Sequence, residues 1–217
     1  TQTTLPLAFV VNARPTDRAA DRALVINEST ATAAVASGTL VANFSRTDAD
    51  NDGATYTLLN NAGGRFTISG AGVLTVANGT LLDREVAVSH VIRVRVTDAG
   101  GLTYDEDFTI TVNNVNEAPT TPTLSSQPIV MANENSALAG QVVANLAATD
   151  PDGTAPTFVI TSDPRGWFTI SGSQLRIAAG QSFDLEALKA AGLTVGDSDG
   201  DGRQEVVYSA VVKATDG

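Results

Sequence analysis

Cysteine is absent from this sequence and histidine occurs once, at His90. Without thiols there can be no disulfide framework, no thiolate zinc site and no cysteine nucleophile. A multi-histidine metal site is excluded too, and a Ser-His-Asp triad would have to run through His90, which is read instead as a packing or surface residue. There is no Gly-x-Ser-x-Gly elbow and no phosphate-binding loop. Basic residues number 13 against 24 acidic, a net charge of −11. That balance speaks against nucleic acid or an anionic membrane surface as a partner. No apolar run approaches the ~18 residues of a membrane-spanning helix, and the first residues show neither the cationic nor the apolar region of a signal peptide. Aromatic residues make up 5% of the chain, with Trp167 the single tryptophan. A paired-carboxylate hydrolase remains arithmetically open, but no residue pair is singled out for it, and the chain is not expected to be an enzyme.

Hydrophobic residues make up 42% of the sequence, and glycines and prolines number 19 and 8. This suits aliphatic cores interrupted by many turns. A chain of 217 residues holds one large domain or two of about a hundred residues, and internal similarity decides for two. Phe66-Thr-Ile-Ser-Gly70 recurs as Phe168-Thr-Ile-Ser-Gly172, 102 positions on. At the same offset Val41-Ala-Asn43 meets Val143-Ala-Asn145, and Asp48-Ala-Asp50 meets Asp150-Pro-Asp152. With slips of a few residues, Asn27-Glu28 matches Asn133-Glu134 and Asp83-Arg-Glu85 matches Asp184-Leu-Glu186. Thr97-Asp98 matches Thr215-Asp216 if the second repeat carries an insertion after Glu186.

Each repeat reads as short strands. Ile92, Val94 and Val96 alternate with Arg93, Arg95 and Thr97, and Phe108, Ile110 and Val112 alternate with polar neighbours. A period of two sets one face on a core and the other in water. Asn51-Asp-Gly53, Gly63-Gly64, Gly100-Gly101 and Asp152-Gly153 punctuate the runs. The expected fold is all-β, two antiparallel Greek-key β-sandwiches in tandem. One short helix is expected over Asp184–Gly192, which has a capping residue, helix formers and a terminal glycine. The polar, proline-bearing stretch Val112–Thr123 reads as an extended link. Residues 1–16 echo that link and are expected to be the last strand and linker of a preceding repeat. The repeats are then 17–119 and 120–217, the second ending before its last strand.

The acids recur at equivalent places, at strand ends and turns. Asp and Asn also make turns for their own sake, but that does not require Glu28 and Glu134, or Glu85 and Glu186, to match. Asn-Glu near the start of each repeat, Asp-x-Asp in the middle, Leu82-Asp-Arg-Glu85, Thr-Asp near the end and the link Asn114-Val-Asn-Glu-Ala-Pro119 together resemble tandem cadherin repeats. The flavour is that of cadherin-like repeats in bacterial surface and secreted proteins, and the resemblance covers nearly the whole chain.

The resemblance implies calcium between successive repeats. Carried over by position, repeat 1 would supply Glu28, Asp83 and Glu85, the link Asn114, Asn116 and Glu117, and repeat 2 Asp150, Asp152 and Asp216. Asn114 and Glu117 depart from the aspartates usual there, which removes one charge and lengthens one ligand. Calcium takes about 6–8 oxygen ligands, and carboxylates gathered at one place repel each other unless cations join them. A second set, Asp48, Asp50 and Asp98, would face an upstream neighbour. There the link reads Asn12-Ala-Arg14, with no acid beside Asn12 and a cation near, so a weak or empty site is expected. Asp197, Asp199 and Asp201 share the Asp-x-Asp-x-Asp-Gly spacing of Asp48–Gly53, but the twelfth positions hold Tyr208 and Leu59 rather than an acid. The Asp197 loop can be read as an intradomain calcium loop or as a solvated turn.

The expected function is that of a calcium-rigidified extracellular repeat, an extender in cell adhesion within a longer surface or secreted protein. Its partners would be neighbouring repeats of the same chain and a cell-surface protein or glycan. The alternative is a carbohydrate-binding module, for which Trp167 is the natural stacking residue, although a packing role suits it better.

Overall fold

The computed structural model describes residues 12–49, 52–126, 138–193, 195–196, 205–206 and 208–216. They form two compact units, residues 1–116 and 117–217.

Unit 1 holds β1 (Asp17–Ala20), β2 (Val25–Asn27), β3 (Leu40–Thr47), β4 (Ala54–Asn60), β5 (Phe66–Ile68), β6 (Val73–Val76), a single 3₁₀ turn (Gly79–Leu81), β7 (Ser89–Asp98) and β8 (Thr103–Asn113). One sheet has the order β1-β3-β6-β5 and the other β2-β8-β7-β4. All pairs are antiparallel except β2 with β8, which run parallel from Val25↔Thr111 to Asn27↔Asn113. This departure from a purely antiparallel sandwich arises because the chain leaves the first sheet after Ala20 and enters the second at Val25 without reversing.

The sheets pack face to face. Val41, Phe66, Leu74 and Val76 from one meet Ile92, Val94, Val96, Ile110 and Val112 from the other in a single buried cluster. The alternation read from β7 is the one observed: Ile92, Val94 and Val96 are buried and Val91 and Arg93 exposed. Each such aliphatic side chain, fully removed from water, stabilises by about 1.5–3 kcal/mol.

Unit 2 holds β9 (Thr123–Ser126), β10 (Val142–Ala147), β11 (Thr157–Ser162), β12 (Phe168–Ser171), β13 (Gln174–Ile177), α1 (Leu185–Ala190), β14 (Val195–Gly196), β15 (Glu205–Val206) and β16 (Val211–Thr215). Its main sheet has the order β12-β13-β10-β9, beside the pairs β11-β16 and β14-β15. Ala144, Leu146, Leu175, Ile177 and Ala214 are buried. The pairing repeats that of unit 1, with β10-β13 for β3-β6, β12-β13 for β5-β6 and β11-β16 for β4-β7. Even the bulges recur: register shifts between Leu40 and Ala42 and between Leu58 and Asn60 have counterparts at Val142/Ala144 and Ile160/Ser162. Bulges re-aim a strand and are placed by the sequence, so their repetition carries the two units back to one template.

The expected helix is α1, capped by Asp184, whose side chain accepts from the backbone N–H of Ala187 at 2.9 Å. The helix and the β14-β15 pair occupy the insertion of the second repeat. Among the described residues no helix is long and apolar enough to cross a membrane.

Candidate metal centres

Among the described residues of unit 1, two groups of acids bring carboxylates together. The first is built by the β3-β4 connection and the β7-β8 hairpin. The β4-β7 register pairs Ala54 with Asp98 and so brings the residues flanking β3 and β4 beside the end of β7. Asp48, Asp52 and Asp98 each offer a carboxylate oxygen within 4.8 Å of the others. Asp98 is buried, 5% exposed. Its Oδ1 accepts from Leu102 N at 2.8 Å and its Oδ2 from Asn12 Nδ2 at 3.2 Å. Asp48 has a fully buried side chain and accepts from Arg46 Nη1 at 2.5 Å, while Arg46 Nη2 lies 3.7 Å from Asp52 Oδ1. Burial, and then the neighbouring Asp48 and Asp98, push the Asp52 carboxyl above its ordinary range, and Arg46 offsets this only in part. Asp50 lies outside the described residues.

The cation within this group is not the one anticipated. Arg14 lies over the Tyr104 ring, 5.6 Å from its centroid. Arg46 supplies the positive charge instead. It shares a face of β3 with the buried Ala42 and Phe44, and at the strand end its long side chain reaches Asp48. This group does not fit a calcium ion well. The buried side chain of Asp48 is engaged by a guanidinium, with which a calcium ion would have to compete.

The second group surrounds Glu28, which is 3% exposed. Its Oε2 accepts from Arg84 N and its Oε1 from Val115 N, both at 2.7 Å. One side chain thus ties the segment after β2 to the segment before β7 and the segment after β8. A carboxylate has about four lone-pair sites, so two remain for a cation. Glu85 presents an oxygen within 4.8 Å of Glu28. Asp83 is exposed and caps its own turn, accepting from Val86 N at 2.8 Å. Asn114 and Asn116 are exposed on the segment that follows β8. These oxygens are of the hard type calcium prefers.

In unit 2, Asp150 and Asp152 follow β10 and Asp216 follows β16. Asp150 Oδ1 accepts from Asp152 N at 2.9 Å, and Asp152 Oδ2 accepts from Glu117 N at 2.6 Å. Gly153, at φ 77°, donates to the Asp150 carbonyl and closes the turn. Asp150 Oδ2 is shielded from water and accepts no hydrogen bond. Burial and the adjacent Asp216 carboxyl push the Asp150 carboxyl above its usual range, against the opposing effect of Thr154 and the Asp152 N–H. Two shielded carboxylates side by side fit a cation.

Asp197, Asp199, Asp201 and Glu134 lie outside the described residues. His90 packs near the Phe66 ring, and burial, then the Arg65 charge, lower its tendency to protonate. Trp167 packs edge-on against Phe183, stacks obliquely on Tyr208 and lies under the Arg165 guanidinium. Sequence reasoning had no signal for the Tyr208 hydroxyl, which donates to Asp163 Oδ1 at 2.9 Å beneath this aromatic group.

No protein-family model matches the sequence, and no curated protein matches it. Solved structures do match it. Human protocadherin-24 EC1-2 superposes with a TM-score of 0.60 at 16% identity, covering 95% of this chain and 98% of that one. Protocadherin gamma B2 extracellular cadherin domains 3–6 give 0.56 at 17% identity, over 90% of this chain and 46% of that one. Protocadherin gamma B7 extracellular cadherin domains 1–4 give 0.53 at 15% identity, over 94% and 50%. The chain therefore spans about half the length of these gamma protocadherin structures. At such identities the likeness is one of architecture, and the fold of this chain is the all-β sandwich of cadherin extracellular domains.

Proposed function

We propose that this chain is a calcium-binding extender module of cadherin-like repeats, part of a longer extracellular adhesin-type protein of bacterial kind. The observation that carries the reading is the Asp150–Asp216 pair, a carboxylate with a water-shielded, unbonded oxygen beside a second carboxylate. A divalent cation relieves both the burial and the repulsion. The residues that would hold calcium are Glu28, Asp83, Glu85, Asn114, Asn116, Glu117, Asp150, Asp152 and Asp216. Calcium supplies charge neutralisation here and no chemistry.

Extracellular calcium modules bind at about 10⁻⁴–10⁻³ M, so such a module is loaded outside a cell and largely empty inside one. Stiff when loaded, it would carry an adhesive end, directed at a cell-surface protein or glycan, away from the surface that bears it. The rival reading, a carbohydrate-binding module, draws no support from Trp167, whose neighbours are Phe183, Tyr208 and Arg165.

The test is small-angle scattering and thermal melting of the same preparation with millimolar calcium and with chelator. Calcium should extend the particle and raise the melting temperature. Identical profiles and melts in the two conditions would reject the reading. A glycan array with wild type and Trp167→Ala addresses the rival.

A further inference from the structure

We infer that Arg46 is a built-in cation, occupying in unit 1 the place that a metal ion takes in the equivalent carboxylate group of unit 2. The inference rests on the calcium reading of unit 2 and concerns a different group. At the 102-residue offset Asp48 corresponds to Asp150, Arg46 to Ala148 and Asp52 to Thr154, and once the insertion of the second repeat is passed Asp98 corresponds to Asp216. Where unit 1 has a guanidinium, unit 2 has a methyl group. Where unit 1 has a third carboxylate to pair with that guanidinium, unit 2 has a hydroxyl. The two differences belong together, because Arg46 reaches Asp48 and Asp52 with its two terminal nitrogens, at 2.5 and 3.7 Å.

The environments differ in the same sense. Asp48 has a fully buried side chain and bonds to Arg46, whose own side chain is 12% exposed. Asp150 Oδ2 is shielded and bonds to nothing. A planar guanidinium matches carboxylates geometrically and is less strongly hydrated than an ammonium, so it is held in such a site at lower desolvation cost. It is also permanent. A calcium site of ordinary extracellular affinity empties when calcium falls below about 10⁻⁴ M, whereas Arg46 does not leave. The Asp48 group is therefore kept in place whether or not calcium is present, and calcium acts on the group that has no arginine.

Reciprocal substitutions in the full chain test this, with calcium bound per chain counted by equilibrium dialysis using radioactive calcium. Arg46→Gln keeps a polar side chain, removes the charge and withdraws it from Asp48, and it should bind one more calcium per chain than wild type. Its melting temperature in chelator should fall below that of wild type, and calcium should restore it. Arg46→Lys keeps the charge and should match wild type in stoichiometry. Ala148→Arg should bind fewer ions than wild type and respond less to calcium in melting. Equal stoichiometry for Arg46→Gln and wild type, both folded by circular dichroism, overturns the inference. Should Arg46→Gln fail to fold, an unchanged count for Ala148→Arg overturns it. Absence of calcium binding by wild type would instead reject the calcium reading of unit 2, and the Arg46→Gln count would still decide the role of Arg46.

Discussion

Asp21 grips Asn43 twice, accepting from its backbone N–H and from its side-chain amide, each at 2.8 Å. The contact falls where the chain leaves the first sheet of unit 1 for the second, so it fixes the crossing against β3. The Arg22 guanidinium, then the backbone and amide of Asn43, hold the Asp21 carboxyl far below the usual carboxylate range. A carboxyl whose folded value is depressed stabilises the fold above its unfolded value, near pH 4. That contribution fades as pH falls below it towards the folded value. Asp21→Asn should therefore melt below wild type at neutral pH, and the two melting curves should converge as pH is lowered from about 4. A gap that stays constant down to the acid limit would show that the carboxylate contributes by shape alone.

Glu28 is a structural clasp whatever it does for metal. Its substitution by Gln leaves one oxygen for two backbone donors and turns an NH₂ toward the other. Leaving a buried donor without its charged acceptor costs about 1–3 kcal/mol, so Glu28→Gln should destabilise unit 1 by roughly that amount even in chelator. Trp167, the single tryptophan, lies in unit 2. Urea unfolding of unit 1, followed by far-ultraviolet circular dichroism, should shift to lower denaturant, while the fluorescence transition should move little. If chelator abolishes the difference between wild type and Glu28→Gln, Glu28 serves metal and not the fold.

The sandwich was legible because period two is a local property. Burial in β7 and β8 follows residue by residue from the alternation at Ile92–Val96 and at Ile110–Val112, and the helix follows from Asp184 and Gly192. The internal repeat likewise aligns Asp48 with Asp150 directly and, with slips and one insertion, Glu28 with Glu134 and Asp98 with Asp216. What could not be read is where long side chains reach. Arg14 was the evident cation near Asn12, yet it lies on Tyr104, while Arg46 turns toward Asp48. Alternation sets Arg46 on the face of Ala42 and Phe44, but which carboxylate a long side chain meets at the strand end is decided by tertiary packing. The double service of Glu28 was hidden for the same reason. Its recurrence signalled importance, but its two backbone partners lie 56 and 87 residues away in sequence. The parallel β2-β8 pair escaped as well, because a three-residue strand has too few positions to declare its neighbour.

Asp150→Asn separates a metal ligand from a fold-stabilising acid by the sign of its effect. In wild type without metal, the shielded Oδ2 of Asp150 and the neighbouring Asp216 carboxyl push the Asp150 carboxyl above its usual range, so its charge opposes folding of unit 2. Removing that charge while keeping the side chain's shape should leave the melting temperature in chelator unchanged or raise it. The same change takes away an oxygen that calcium would bind. Loss of partners that merely orient a metal's ligands costs about 10–100-fold in affinity, so loss of a ligand should cost at least as much. Asp150→Asn should then be as stable as wild type in chelator or more so, and less stable than wild type in millimolar calcium, the two melting curves crossing as calcium is titrated. Melting temperature against calcium concentration measures this directly. If Asp150→Asn melts below wild type by the same margin with and without calcium, Asp150 contributes to folding as Glu28 does, and the metal-binding role assigned to this end of unit 2 fails.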